Sequence, residues 1–274
     1  LYHYWLASDM LAGRTPWLHN LYEFNTGDDT ERFRWHAHYA PMSWLYALFS
    51  TILSRAAAFN LTGLVSLWLT VVLTWHLVRR YTSEPGWSFA AALLAVLMPY
   101  RWAQLLGGSP AGHAMAWVPL ICLGVDIAVR ELRWTGALLT ALGLLFASWG
   151  DSHVFFFGAL AAGGWVLVAL LADGMERWRD PAAVRGLIRV AAVGLLFVLP
   201  ALGMLLLKAR HLTETTAGIE RALAEVRIFS PGPRDFFRRG ARGLPGHIYI
   251  GFVLPALTAA LALGSLARVS GSPA

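Results

Sequence analysis

Long apolar segments separated by short polar ones constrain the fold of this chain more than any other feature. A helix needs about 20 mainly apolar residues to cross the hydrocarbon core of a bilayer. Seven segments approach this length, so the sequence predicts an all-α, polytopic bundle of about seven transmembrane helices. The predicted spans are Asn60–Val78, Trp87–Trp102, His113–Val129, Thr135–Gly150, His153–Ala172, Leu187–Leu206 and His247–Leu266.

The charge content agrees with a membrane fold. Only 14% of the residues are charged, whereas soluble domains carry about 25%. The apolar runs are continuous rather than alternating, which favours helices over barrel strands. The basic residues form short clusters between these runs, so we expect no nucleic-acid partner.

Arginine placement predicts the orientation of the bundle. The loops 103–112 and 151–152 contain no Lys or Arg, whereas the alternate connections are rich in arginine. The positive-inside rule therefore places the arginine-bearing connections in the cytoplasm and residues 1–59 and 207–246 outside. The predicted cytoplasmic arginines are Arg79, Arg80, Arg130, Arg133, Arg177, Arg179, Arg185, Arg189 and Arg268.

Four parts make up the predicted chain. Residues 1–59 form an extracytoplasmic loop, 60–206 a six-span bundle, 207–246 a second extracytoplasmic loop and 247–266 a further span.

In the first loop, Met42–Phe59 has apolar residues at helical spacing interrupted by polar ones. This pattern predicts a juxtamembrane helix in the interface plane, and a spanning helix is the alternative. Since the chain begins with Leu and ends soon after an apolar run, we expect a fragment of a longer protein.

The N-terminal loop contains the first candidate site. Asp28 and Asp29 precede His36 and His38, and eight of the nine histidines fall in predicted outer segments or at outer helix ends. Adjacent carboxylates can deprotonate an acceptor, and together with the histidines they can bind a divalent metal. We therefore predict catalysis by the two aspartates and metal binding by all four residues. The alternative is a solvated turn, which the composition of residues 25–28 also fits.

A second candidate site lies between two predicted spans, at Asp151 and His153. An ionisable group at the membrane surface usually faces a cavity or a partner, so we predict a catalytic role for both residues. The alternative is that Asp151 caps the following helix. Asp126, near a predicted inner helix end, is interpreted as structural.

Basic side chains on the predicted outer side form a third candidate site. Arg234, Arg238 and Arg239 lie among aromatic residues in the second loop, and arginine binds phosphate well. We predict that they bind a phosphate-bearing lipid substrate, with Arg101 and His113 at outer helix ends as further contacts. Nonspecific attraction to anionic headgroups is the alternative.

Five parts of the sequence carry a resemblance to a known family: Tyr4–Leu6, Leu11–Trp17, Pro41, the span from Asn60 to Arg79 and Arg80, and Ile248–Gly251. The first four resemble the first outer loop and following helix of GT-C-type glycosyltransferases, most closely the bacterial YfhO-like membrane proteins, and the last resembles the same group. The likeness covers most of the chain, by layout more than by exact motif.

This resemblance implies an enzyme of the bacterial inner membrane and cell envelope. Such an enzyme moves a sugar from a polyprenyl-phosphate carrier to an acceptor on the extracytoplasmic face. An acidic residue of the first outer loop acts as base or metal contact, and the matching region offers Asp9, Asp28, Asp29 and Glu31. The key aspartate of the family usually follows the first transmembrane helix, which would lie upstream of Leu1.

Other functions remain open at this stage. A lipid or glycan flippase or transporter would favour polar groups within its spans and broken helices, and the spans here carry few polar groups. A non-catalytic role in envelope biogenesis is the third possibility. The sequence lacks a Walker phosphate loop, a Gly-x-Ser-x-Gly elbow and a His-Glu-x-x-His motif, which argues against an ATP-driven pump, a serine hydrolase and a zinc protease.

Overall fold

Every regular element in residues 2–17 and 39–213, which are the residues that the computed structural model describes, is a helix. A 3-10 helix, Met175–Arg179, lies between the last two α-helices of the described chain. The α-helices are α1 (Tyr2–Leu11), α2 (Met42–Phe49), α3 (Arg55–Arg79), α4 (Pro85–Val96), α5 (Pro99–Leu106), α6 (Pro110–Ala114), α7 (Trp117–Arg130), α8 (Trp134–Gly150), α9 (Ser152–Ala172) and α10 (Pro181–Thr213).

Four segments of the described chain are long and apolar enough to cross a membrane. They are α3, α6 continued by α7, α9, and the Pro181–Gly203 part of α10. The interrupted pair α4 and α5 provides a fifth if it forms one span. The predicted all-α fold is thus confirmed for the described residues, with four or five helices that could cross a membrane rather than the six predicted there. Helix α8 is apolar but has only 17 residues, and His247–Leu266 lies outside the described residues.

The exposed surfaces of these helices are apolar, as expected for contact with lipid. On α3 the buried positions include the small residues Thr62, Gly63 and Ser66, whereas Leu64 and Trp68 are exposed. Small buried residues let helices approach closely in a membrane, and large exposed apolar surfaces are rare on soluble monomers. Further exposed apolar side chains on α9 and α10 are Phe156, Phe157, Leu160, Leu167, Leu171, Ile188, Leu195, Leu196 and Leu199.

The antiparallel helices α7 and α8 pack with their backbones almost in contact. A Cβ atom on Gly136 would lie 2.2 Å from the backbone nitrogen of Ala128, and one on Gly124 would lie 2.4 Å from that of Thr140. Any larger side chain at these positions would push the helices apart. Helix α9 packs against both helices, and α10 packs against α8.

The predicted juxtamembrane helix Met42–Phe59 is divided in two. The Ser50 and Thr51 hydroxyls donate to carbonyls of the last turn of α2, at 2.8 and 2.7 Å, and so end that helix. The Ser54 side chain then accepts a backbone N–H three residues on, which starts α3 before the predicted span. With eight residues, α2 is too short to cross a membrane. Helix α1 was not predicted.

Candidate functional site

Helices α3, α7, α8 and α9 run back and forth between two chemically different ends. At one end Arg80, after α3, pairs with Asp126 of α7, and Arg130 pairs with Asp173, after α9. We call this the arginine end. At the other, the ring of Trp149 in α8 lies 6.0 Å from that of a tryptophan in α2. The positive-inside rule predicts that the arginine end is cytoplasmic and the opposite end extracytoplasmic.

At the end of the bundle opposite the arginine end, an open groove of about 490 Å³ lies between α1 and α2. We call this the groove end. Its walls combine apolar side chains, hydroxyl groups and one guanidinium. Such a mixture suits a ligand that has an apolar part and a polar, anionic part. The groove is lined by Ser8, Leu11, Ala12, Arg14, Trp44, Ala47, Leu48, Ser50 and Thr51.

The only ionic group lining this groove among the described residues, Arg14, is held by Asp9. The Arg14 Nε and Nη2 atoms donate to Asp9 Oδ1 at 2.9 and 2.6 Å. The Asp9 side chain is 8% exposed and that of Arg14 is 60% exposed. The buried carboxylate thus fixes a guanidinium whose outer side remains accessible.

Local sequence explains this pair. Gly13 has φ +69°, its N–H donates to the Met10 carbonyl at 3.1 Å, and the Arg14 N–H donates to the Asp9 carbonyl at 2.9 Å. These bonds form a Schellman motif, for which glycine is the favoured residue because of its positive φ. The motif folds the chain back over the last turn of α1, and the ion pair takes the place of the usual apolar contact.

Buried aromatic residues hold α1 against α3 and α6. The Tyr4 ring lies 5.6 Å from Phe59 and 5.2 Å from His113, and His113 is also 5.0 Å from Phe59. Burial, with a smaller effect of Tyr39, raises the pKa of Tyr4 above its ordinary value, so this residue stays neutral. Ser66 in α3 donates to the His113 carbonyl at 3.2 Å. The cluster therefore packs α1, which forms one wall of the groove, against α3 and α6.

Two of the predicted substrate contacts are buried. Arg101 and His113 are each 1% exposed, and neither lines the groove. His113 belongs to the aromatic cluster just described. Direct contact of these residues with substrate stays a prediction.

Asp151 and His153 lie at the start of α9. Asp151 caps this helix, since its side chain accepts the backbone N–H groups of His153 and Val154 at 2.8 and 3.1 Å. The predicted cap is therefore confirmed, and a catalytic role for Asp151 and His153 stays a prediction. The His153 side chain is 83% exposed, with Nδ1 3.5 Å from Asp151 Oδ1. Neither residue lines the groove.

The remaining predicted site residues lie outside the described part of the chain. They are the catalytic and metal-binding candidates Asp28, Asp29, His36 and His38, and the phosphate-binding candidates Arg234, Arg238 and Arg239. Within residues 2–17 and 39–213, no group of three or more His, Cys, Asp or Glu side chains is arranged to hold a metal.

Sequence reasoning named Asp9 only through the family resemblance and missed Arg14. A signal was present, because the spacing Asp9–Gly13–Arg14 is that of a Schellman motif with charged residues at its two contact positions.

Comparison with protein-family models, characterised proteins and solved structures finds no match, so the chemistry of this end is inferred from its own residues.

Proposed function

We propose that this chain belongs to a membrane glycosyltransferase that moves a sugar from a polyprenyl-phosphate carrier to an envelope acceptor. The observation that carries the proposal is the groove between α1 and α2. Its apolar residues Leu11, Trp44 and Leu48 suit the lipid, its hydroxyls suit a sugar, and Arg14 suits the phosphate. The resemblance to YfhO-like membrane proteins supports the same activity.

The proposal extends to topology. The protein has seven spans in this chain, lies in a bacterial inner membrane and holds its N-terminal segment outside. The arginine-rich connections support this orientation, and the apolar outer faces of α3, α9 and α10 support the membrane location.

In the proposed reaction the acceptor hydroxyl oxygen bonds to the anomeric carbon of the sugar. The bond from that carbon to the carrier phosphate oxygen breaks, and its electron pair leaves with the phosphate. The proton of the acceptor passes to the carboxylate of Asp28 or Asp29. Arg14, held by Asp9, stabilises the charge that develops on the leaving phosphate. Metal binding by Asp28, Asp29 and the nearby histidines stays a prediction.

The first test replaces Arg14 with Gln in the full-length protein. We expect at least tenfold weaker labelling by a photoreactive polyprenyl phosphate, roughly the effect of losing one charge-assisted hydrogen bond, and a similar loss of sugar transfer. The matched control is Arg133→Gln. Arg133 is 63% exposed, close to the 60% of Arg14, but lies at the arginine end. Equal labelling of Arg14→Gln and the unaltered protein would remove the phosphate-binding role of the groove.

A separate test addresses the proton acceptor. Asp28→Asn combined with Asp29→Asn should abolish transfer while leaving photolabelling by the sugar-free carrier unchanged. Undiminished transfer by this double variant would exclude both aspartates as the base.

A flippase or transporter is the second candidate, and the interrupted pair α4 and α5 favours it. Broken helices are common at transporter binding sites, and Arg101 in α5 is buried, as a charge within a membrane usually is. Reconstituted vesicles separate the candidates, since a flippase moves a fluorescent lipid-linked sugar across the bilayer without an acceptor. A transferase does not.

A further inference from the structure

A second pocket, of about 600 Å³, lies at the arginine end of the bundle. It is formed where α3, α7 and α9 end, far along the helices from the groove. Its volume falls within the usual range for small-ligand sites, about 300–1,000 Å³. Three guanidiniums and two carboxylates line it: Arg80, Arg130, Glu131, Asp173 and Arg177.

Two of the guanidiniums are held by neighbouring side chains. Arg80 donates to Asp126, whose side chain is fully buried, and pairs with Glu131 at 2.7 Å. Arg130 Nε donates to Asp173 at 2.9 Å. The central carbon of the Arg130 guanidinium lies over the ring of Tyr81, 4.9 Å from its centroid. Both groups are therefore oriented before any ligand arrives.

The third guanidinium is held from the 3-10 helix. Arg177 pairs with Asp173 and lies over the ring of Trp178, 5.1 Å from its centroid. The indole N–H of Trp178 donates to the Leu170 carbonyl at 2.9 Å, which ties this segment to the last turn of α9.

The ion pairs of this cluster leave an excess of positive charge and some guanidinium N–H donors that the carboxylates do not engage. In the described chain, four arginines share three carboxylates through these ion pairs, since Arg133 also pairs with Glu131. One positive charge is thus in excess. Each guanidinium has five N–H groups, and the carboxylates engage only some of them. An anion that enters the pocket would find oriented donors from three sides.

The location of the pocket points to the source of the anion. It lies at the ends of three helices that are long and apolar enough to cross a membrane, and the ends of such spans lie among lipid headgroups. Leu167 and Leu171, one turn apart on α9, are 62% and 65% exposed just before Asp173. The apolar surface of α9 can therefore hold acyl chains while a headgroup occupies the pocket.

We infer that the pocket at the arginine end binds the phosphate diester of an anionic phospholipid from the cytoplasmic leaflet. Basic pockets between helix ends on this side of a membrane suit such headgroups. The site is separate from the groove, and its occupancy does not depend on the transferase activity.

Native mass spectrometry of the delipidated full-length protein tests this site. Phosphatidylglycerol should bind at low concentration, phosphatidylcholine should bind much more weakly, and inorganic phosphate should compete only weakly. Arg177→Gln should weaken phosphatidylglycerol binding about tenfold, as expected for one charge-assisted hydrogen bond. The control Arg79→Gln removes a charge at the same end that does not line the pocket, and it should leave binding unchanged.

Asp173→Asn separates binding from a structural effect. The amide oxygen of asparagine can still accept the hydrogen bonds that orient Arg130 and Arg177, while the negative charge is removed from the pocket. Phosphatidylglycerol should therefore bind as tightly or more tightly. Equal weakening by Arg177→Gln and Asp173→Asn would overturn the proposal. So would equal weakening by Arg79→Gln, because the attraction would then be nonspecific. Inorganic phosphate binding as tightly as the lipid would overturn the lipid source.

Discussion

Asp126 is the most completely buried charge that the structure describes, and it joins two helices. Its carboxylate accepts hydrogen bonds from Arg80 and from the Tyr81 hydroxyl, and Arg130 lies 3.7 Å away. A buried carboxylate is costly unless it is paired and hydrogen-bonded. The structural role predicted for Asp126 agrees with this arrangement. Arg80 and Tyr81 could not be predicted as its partners, because they lie more than 40 residues away in sequence.

Replacing Asp126 with Asn should destabilise the protein by about 3 kcal/mol, because it leaves Arg80 without its buried counter-charge. The free energy of unfolding in mixed detergent measures the effect. Asp180→Asn is the matched control. Asp180 is exposed and accepts a backbone N–H at the start of α10, and asparagine caps helices equally well. Similar loss from both changes would contradict a special role for Asp126.

Glu131 makes the stability of the arginine end depend on pH. The hydrogen bond from Arg80 lowers the pKa of Glu131 below its ordinary value of 4.5. The unfolded state therefore binds the proton more readily, so this stabilisation is fully present above about pH 4.5. It is lost as pH falls through the lowered pKa.

Glu131→Gln should flatten this part of the pH profile. The melting temperature of the unaltered protein, followed from pH 7 downward, should fall more steeply below the ordinary Glu131 pKa of 4.5 than that of the variant. Parallel curves for the two proteins would show that Glu131 contributes nothing to the acid sensitivity.

At the scale of helices, glycine sets how closely α7 and α8 approach. Gly136→Ala would place a methyl group 2.2 Å from a backbone atom of α7. We expect a loss of about 1–3 kcal/mol or more in unfolding free energy, the usual cost of overpacking. Gly163→Ala on α9 meets nothing within 4 Å and should be neutral or stabilising. A neutral Gly136→Ala would contradict the close packing.

The existence of the helices could be predicted from sequence far better than their ends. Apolar length alone indicated the spans now seen as α3, α6–α7, α9 and α10. The ends depend on local hydrogen bonds, such as those of Ser50 and Thr51, which hydropathy does not contain. The groove between α1 and α2 was not predicted either, because it depends on the turn at Gly13 and on contacts between segments distant in sequence.

At the scale of the whole molecule, the two proposed sites require that the arginine end and the groove end face opposite sides of a membrane. The described helices have apolar outer surfaces, a cluster of ion pairs at one end and a groove at the other. The proposed transferase site and the proposed phospholipid site depend on this polarity, since one needs an extracytoplasmic acceptor and the other a cytoplasmic leaflet.

Cysteine labelling in intact cells tests this polarity most directly. Single cysteines are introduced into a cysteine-free form of the full-length protein by Ala12→Cys at the groove end and Ser83→Cys at the arginine end. Both positions are exposed. We expect a membrane-impermeant maleimide to label position 12 in intact cells and position 83 only after lysis. Labelling of position 83 but not position 12 in intact cells would contradict the orientation and the function built on it.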